Sequence, residues 1–293
     1  MNDYKKILKK VRGGVKRILT AISPQLETTV NYRFSCGKWI DWRNPDNGDI
    51  NAKLNWLKVK LYYNNKKVTS CIDKYLIRFY LEEKGLAHIC PRLYGVYEAA
   101  GDIAWDALPH QFALKCNHAC GTNIIVKNKD NLDTKAAVEQ VSRWMKMDYW
   151  KTGEVQYRFI KKRIVVEEYL GDGEDLKTVK FFCFNGEPKV AYLSMEEDRY
   201  LDYYDMSFNK LPYSLPGHEH YPHELARPDT FDEMVRIAGI LSEDFPFVRV
   251  DLYDSKGKIY ISELTFIPTG GYMKIDPPEV LEKWGEWLDL CRR

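Results

Sequence analysis

The chain has 293 residues, 45% of them apolar and 29% charged, enough to bury one or two sizeable cores and incompatible with disorder, collagen or a small disulfide scaffold. Lys and Arg number 44 against 42 Asp and Glu, so bulk electrostatics give no reason to expect nucleic acid as a partner. Seven scattered cysteines with no C-x-x-C pair and no signal segment ahead of them fit a reducing cytoplasm. Cys116, His118 and Cys120 have no second pair at ligand spacing, which argues against zinc. No apolar run approaches the roughly 18 residues that span a bilayer, and no repeat of solenoid length occurs.

In chain order, residues 1–22 place Ile7, Val11, Val15 and Ile18 at helical spacing among seven basic residues: Lys5, Lys6, Lys9, Lys10, Arg12, Lys16 and Arg17. This pattern predicts a basic amphipathic helix, either docked on its own domain or in peripheral contact with an anionic membrane face. Leu54, Leu57, Val59 and Leu61 predict a helix over 51–63, and Asp73 caps a second one that Gly85 stops. A strand is expected at 93–97. Strands at 112–116 and 123–127 flank the loop from Asn117 to Thr122 and predict a hairpin with a mobile polar tip. A helix follows over 134–147. Strands are expected at 163–170, 176–184 and 188–194, the last two joined by an Asn185-Gly186 turn. A helix at 231–241, strands at 247–253 and 258–266, and a terminal helix opened by Pro277-Pro278 complete an α+β chain.

Three places carry chemistry. In the last strand pair, a three-residue turn with Gly257 in the left-handed conformation sets Asp254 against Lys258, Asp251 against Ile261 and Arg249 against Glu263. Arg249, Asp251, Glu263 and Thr265 then share one face, with the two carboxylates diagonal and able to converge on a hard cation. A turn one residue longer puts the carboxylates on opposite faces; the alternative use is a routine cross-strand ion pair. Second, Lys115 ends a strand beside the small-residue loop through Gly121, a pattern suited to gripping phosphate, though it is no Walker A sequence; His118 in that loop is a candidate base or an exposed side chain. Third, the strand ending in Glu167, Glu168 and Leu170 precedes Glu174 and Asp175, where acids and backbone suit adenine and ribose, or simply meet solvent.

In this order the pieces resemble the ATP-grasp superfamily, and more closely its TupA-like branch of bacterial surface polysaccharide synthesis. The resemblance rests on the segments from Asp73 to Arg78, Phe112 to His118, Asn123 to Lys127, Lys180 to Gly186 and Phe245 to Tyr253, together with Glu263 to Phe266. It implies two antiparallel-sheet subdomains enclosing ATP, plus an N-terminal helical region. The corresponding division is 1–50 for the helix and extension, 51–110 for a helical subdomain, 111–170 for the phosphate loop and 171–293 for the metal site. The resemblance further implies Lys115 and Arg78 on the phosphates, Gly121 in a closing loop, Glu167, Glu168 and Leu170 at adenine, Glu174 or Asp175 on ribose, and Lys180 on phosphate or adenine. Asp251 and Glu263 would bind magnesium (Mg2+), with Thr265 as the third ligand where relatives commonly have Asn, and Arg249 would steady an oxyanion. The implied reaction is ADP-forming ligation of an amine to the carboxylate of a uronic acid in a surface polysaccharide or its precursor. A sugar kinase on the same fold, or a non-catalytic glycan- or nucleotide-binding protein, are the competing functions.

Overall fold

The computed structural model describes residues 2–171, 177–195 and 199–291. Its elements, in order, are α1 (Asn2–Ile22), α2 (Pro24–Cys36), α3 (Ile50–Leu57, continued by a π-helical turn, Lys58–Tyr62), α4 (Lys66–Ile72) and α5 (Ile77–Glu83). Then come β1 (Leu93–Tyr97), β2 (Phe112–Cys116), β3 (Asn123–Val126), α6 (Thr134–Met145) and β4 (Ile164–Glu167). The last third holds β5 (Lys177–Phe184), β6 (Glu187–Met195), β7 (Tyr200–Tyr204), α7 (Phe231–Ser242), β8 (Phe247–Ser255), β9 (Lys258–Thr265) and α8 (Glu279–Trp287).

The strands form two antiparallel sheets, one of order β1-β4-β2-β3 and one of order β7-β6-β5-β8-β9. The expected α+β class follows. Phe112, Leu114, Ile164 and Val166 bury the first sheet against Val141 of α6. The second sheet packs Val179, Phe181, Val250 and Leu252 with Phe231, Met234 and Leu241 of α7. Trp284 of α8 is fully buried and its ring meets those of Phe182 and Phe184. Asn185 and Gly186, at φ 50° and 85°, make the expected two-residue turn between β5 and β6.

Three elements escape the apolar pattern. In α2 the buried positions are Glu27, Thr28 and Tyr32, so no hydrophobic stripe announces it. The short α4 starts at Asn65, whose side chain accepts the Val68 N–H. In β7 alternation is broken by Asp202, buried yet satisfied by Lys210 at 2.7 Å and His220 at 2.5 Å. The helix expected from Asp73 begins only at Ile77, because the Asp73 carboxylate holds a preceding turn through the N–H groups of Tyr75 and Leu76.

The helical layer is tied to the five-stranded sheet by Asp244, just beyond α7. Its Oδ2 receives Lys84 Nζ at 2.7 Å, Lys67 Nζ at 2.9 Å and the Tyr80 hydroxyl at 3.1 Å. Burial works against its charge, but Lys84, Lys67 and Tyr80 outweigh it and hold the carboxyl down to about 2. A folded-state pKa below the unfolded value of about 3.9 contributes stability that is complete above that value and lost as pH falls through the folded one. Asp244→Asn is therefore expected to flatten the fall in stability between about pH 4 and pH 2, measured by urea denaturation at stepped pH; an unchanged slope would show that the clamp is not coupled to folding.

Candidate functional site

The last strand pair departs from the expected register at two points. Its turn has two residues, Lys256 and Gly257 at φ 52° and 79°, so Ser255 rather than Asp254 faces Lys258. An unbroken ladder from that turn would set Asp251 against Ser262 and Glu263 against Val250, on the side packed under α7. The ladder is broken: Leu252 faces Ile261, but Asp251 faces Glu263, leaving Ser262 as the extra residue of a β-bulge. Asp251 and Glu263 are therefore directly opposed and not diagonal, and Arg249 faces Thr265 and not Glu263.

Asp251 is buried, and its carboxylate is held on both oxygens by Arg249, Nε to Oδ1 at 2.7 Å and Nη2 to Oδ2 at 2.6 Å. Such two-point pairs fix orientation as well as charge. Burial opposes the charge of the guanidinium, but Asp251 outweighs it and raises the Arg249 pKa. The Thr265 hydroxyl accepts from Arg249 Nη2 and donates to Glu263 Oε1, each at 3.1 Å. Expected as a third metal ligand, Thr265 here bridges Arg249 to Glu263, because its short side chain lies directly between them. Glu263 keeps 40% of its side chain exposed. Burial pushes its carboxyl up, but Arg249, Lys74 and Lys180 together bring it below the ordinary carboxylate range. Lys180 lies opposite Asp251 in the next strand, with Nζ 5.3 Å from the centre of the Tyr192 ring.

Across a narrow cleft stands the four-stranded sheet. Lys115 of β2 makes a close ion pair with Glu167, its diagonal neighbour on β4, and Arg78 of α5 reaches the other oxygen of Glu167 at 3.4 Å. Burial disfavours the Lys115 ammonium, but Glu167 more than compensates and raises its pKa. Arg78, Lys115, Glu167, Lys74, Ser262 and Glu263 line this cleft together. The buried Nε of Arg78 has no hydrogen-bond partner among the described residues. Glu167, expected at adenine, is thus clamped between two cations. Glu168 accepts the Arg92 N–H, and the Leu170 carbonyl accepts the Ser255 hydroxyl. Glu174 and Asp175, expected on ribose, lie outside the described residues.

The loop after β2 is anchored, contrary to the mobile tip expected from its polar sequence. Asn117 is fully buried, donating to Asp73 at 2.8 Å and to the Lys161 carbonyl at 2.9 Å, and accepting the Arg163 N–H. Lys74 donates to the Ala119 carbonyl at 3.0 Å. His118 is buried, with Nε2 3.2 Å from the Trp144 carbonyl, and burial lowers its pKa; it is neither exposed nor placed as a base. Cys120 and Gly121 alone in this loop face solvent, Gly121 in the left-handed conformation at φ 66°. Lys74, Asp73, Arg163 and Asn117 were not singled out from sequence as site residues. Their partners lie 44 to 90 positions away, beyond any local spacing signal.

Replacing Arg249 by Met strands a buried carboxylate and is expected to cost about 3–5 kcal/mol of folding stability, whereas adding Asp251→Leu recovers much of that loss. Urea denaturation of both variants checks this; an additive double variant would show that the two side chains do not act as a pair.

A family model described as TupA-like ATPgrasp matches residues 52–288. Among curated proteins no sequence matches significantly. Similar solved structures include D-alanine–D-alanine ligase from Bacillus anthracis, at 16% identity and TM-score 0.48 over 89% of this chain and 81% of that one. The same enzyme complexed with ATP gives 16% identity and TM-score 0.43, over 69% and 56%. D-Alanine–D-alanine ligase from Helicobacter pylori gives 13% and 0.46, over 84% and 70%. The match of 52–288 covers most of the 293 residues and includes every residue of the Lys115 cleft, and the chain belongs to the TupA-like ATP-grasp family.

Proposed function

We propose that the protein is an ADP-forming carboxylate–amine ligase that activates the carboxylate of a uronic acid, in a bacterial surface polysaccharide or its precursor, and transfers it to an amine. The observation that carries the proposal is the shared cleft: Lys115 and Glu167 of the four-stranded sheet and Arg78 of α5 face Glu263 of the five-stranded sheet, with Asp251 and Arg249 behind it. Cations for a polyphosphate and a carboxylate for a divalent ion line that one cleft together. The ligase class comes with the family; the uronic acid and the amine rest on the resemblance to the polysaccharide branch.

In this proposal Lys115 and the Nε of Arg78, which has no partner among the described residues, take phosphate oxygens. Glu167 holds both cations in place, so nucleotide meets a preset pair and not two loose side chains. Gly121 supplies the backbone freedom for the loop over the phosphates. Glu168, Leu170, Glu174, Asp175 and Lys180 would receive the nucleoside end. Glu263 fits magnesium as a part-exposed hard oxygen donor, since Mg2+ characteristically takes one or two carboxylates and fills its shell with phosphate and water; Asp251, directly opposite on the same face, is buried with both oxygens on Arg249 and would join only by sharing them. When bound, magnesium supplies charge neutralisation at the phosphates.

The substrate carboxylate attacks the γ-phosphorus, the bond to the β-phosphate oxygen breaks, and ADP leaves behind an acyl phosphate. The amine then attacks the acyl carbon, loses a proton, and inorganic phosphate departs as the amide forms. Charge gathers first on the transferring phosphoryl group, where Lys115 and Arg78 lie, and then on the acyl oxygen. Arg249 spends Nε and Nη2 on Asp251 and Thr265, which leaves Nη1 as its donor for that oxyanion.

ADP release is expected only when uronic acid and amine are both supplied, and hydroxylamine in place of the amine should yield a hydroxamate. Lys115→Met and Glu263→Gln are expected to lower turnover by at least about 100-fold while thermal melting shows the fold retained. A stable phosphorylated sugar would identify a kinase. Full cellular function of an Asp251→Asn, Glu263→Gln double variant would identify a non-catalytic binding protein.

A further inference from the structure

Val11, Val15, Ile18 and Ile22 follow one another at intervals of four, three and four residues, and so lie on one stripe of α1. In a helix packed on its own domain that stripe turns inward. Here it faces out: the four side chains are 56%, 51%, 62% and 71% exposed. The helix docks by its flank. Thr20 is buried, with its hydroxyl on the Lys16 carbonyl, and Lys16 reaches the buried Glu27 of α2 at 3.8 Å. Alongside, Val30 and the 74% exposed Phe34 of α2 close a shallow groove with Val11, Val15 and Leu19, and Arg12 stands at its rim. A contiguous exposed apolar surface of this kind marks an interaction face.

Charge selects the occupant. Arg12 and Arg17 are exposed beside the stripe, and in sequence the same helix carries Lys5, Lys6, Lys9 and Lys10 against a single acid, Asp3. A second copy of this chain would bring the same positive excess to the contact. A surface that offers many anions in one plane over an apolar interior matches both features at once. We propose that the α1–α2 face docks on an anionic lipid bilayer, α1 lying in the interface with Val11, Val15, Ile18 and Ile22 entering the acyl boundary and the basic residues on lipid phosphates. No helix among the described residues is long and apolar enough to cross a membrane, so the contact is peripheral. It is independent of the reaction proposed above.

The test is co-sedimentation of the full chain with vesicles of phosphatidylcholine alone and of phosphatidylcholine with phosphatidylglycerol in equal parts. Binding is expected only to the second, with release in about 1 M salt, where the Debye length falls to about 3 Å. Arg12→Glu with Arg17→Glu, and separately Val15→Asp with Ile18→Asp, are expected to weaken binding by at least about tenfold, with thermal melting and ATP binding unchanged because all four positions are exposed and none lines the Lys115 cleft. Failure to bind the anionic vesicles, equal binding to both vesicles, or binding by the Val15→Asp, Ile18→Asp variant at the wild-type level overturns the proposal. So does a dimer in sedimentation velocity that this variant abolishes, which would assign the face to a second copy.

Discussion

One extra residue in β9, Ser262, decides which side of the five-stranded sheet carries Glu263. A strand alternates its side chains with period two, so an odd shift in register moves a whole row from one face to the other. The two-residue turn at Lys256 and Gly257 supplies one such shift and the bulge at Ser262 supplies a second. The two cancel for Glu263, which lines the cleft, and leave Ile261 and Leu252 in the core beneath α7. Bulges recur beside functional residues for this reason: the extra residue re-aims a side chain, with a local bend and added twist in the strand.

Among the described residues, the charges in the cleft form a series in which each carboxylate has a cation beside it. Glu167 has Lys115 and Arg78, Asp251 has Arg249, and Glu263 has Arg249 at 3.6 Å with Lys74 and Lys180 acting on it from a distance. Buried ions of this kind are tolerated only when paired and hydrogen-bonded. The same arrangement suits the ligand proposed for it, because a polyphosphate with its cation brings charges of both signs, each to a side already lined by the opposite one. The buried Arg249–Asp251 pair, joined at two points, is the rigid end of the series; half-exposed Glu263 is the open end.

The phosphate loop owes its placement to contacts from outside its own hairpin. Asp73 and Lys74, between α4 and α5, hold Asn117 and the Ala119 carbonyl, while Arg163 closes on Asp73 at 3.5 Å. The helical layer in turn is fastened to the five-stranded sheet through Asp244. The two faces of the cleft are therefore positioned by one continuous set of charged contacts that runs through α4 and α5.

Much of this was legible in the sequence. Apolar alternation and the Asn185-Gly186 turn located most strands, helical spacing located α1 and α3, the Pro277-Pro278 start located α8, helices were expected at the places of α6 and α7, and the ordered motifs around Lys115, Arg249, Asp251 and Glu263 indicated the family now matched over 52–288. These features are local, and local periodicity and turn chemistry are what a sequence displays. The bulge at Ser262, the clamp of Glu167 between Lys115 and Arg78, the bridging role of Thr265, the burial of the Asn117 loop and the outward stripe of α1 were decided by tertiary structure. Each depends on which distant groups share a face or compete for the same oxygen, and that is settled only when the sheets and helices pack.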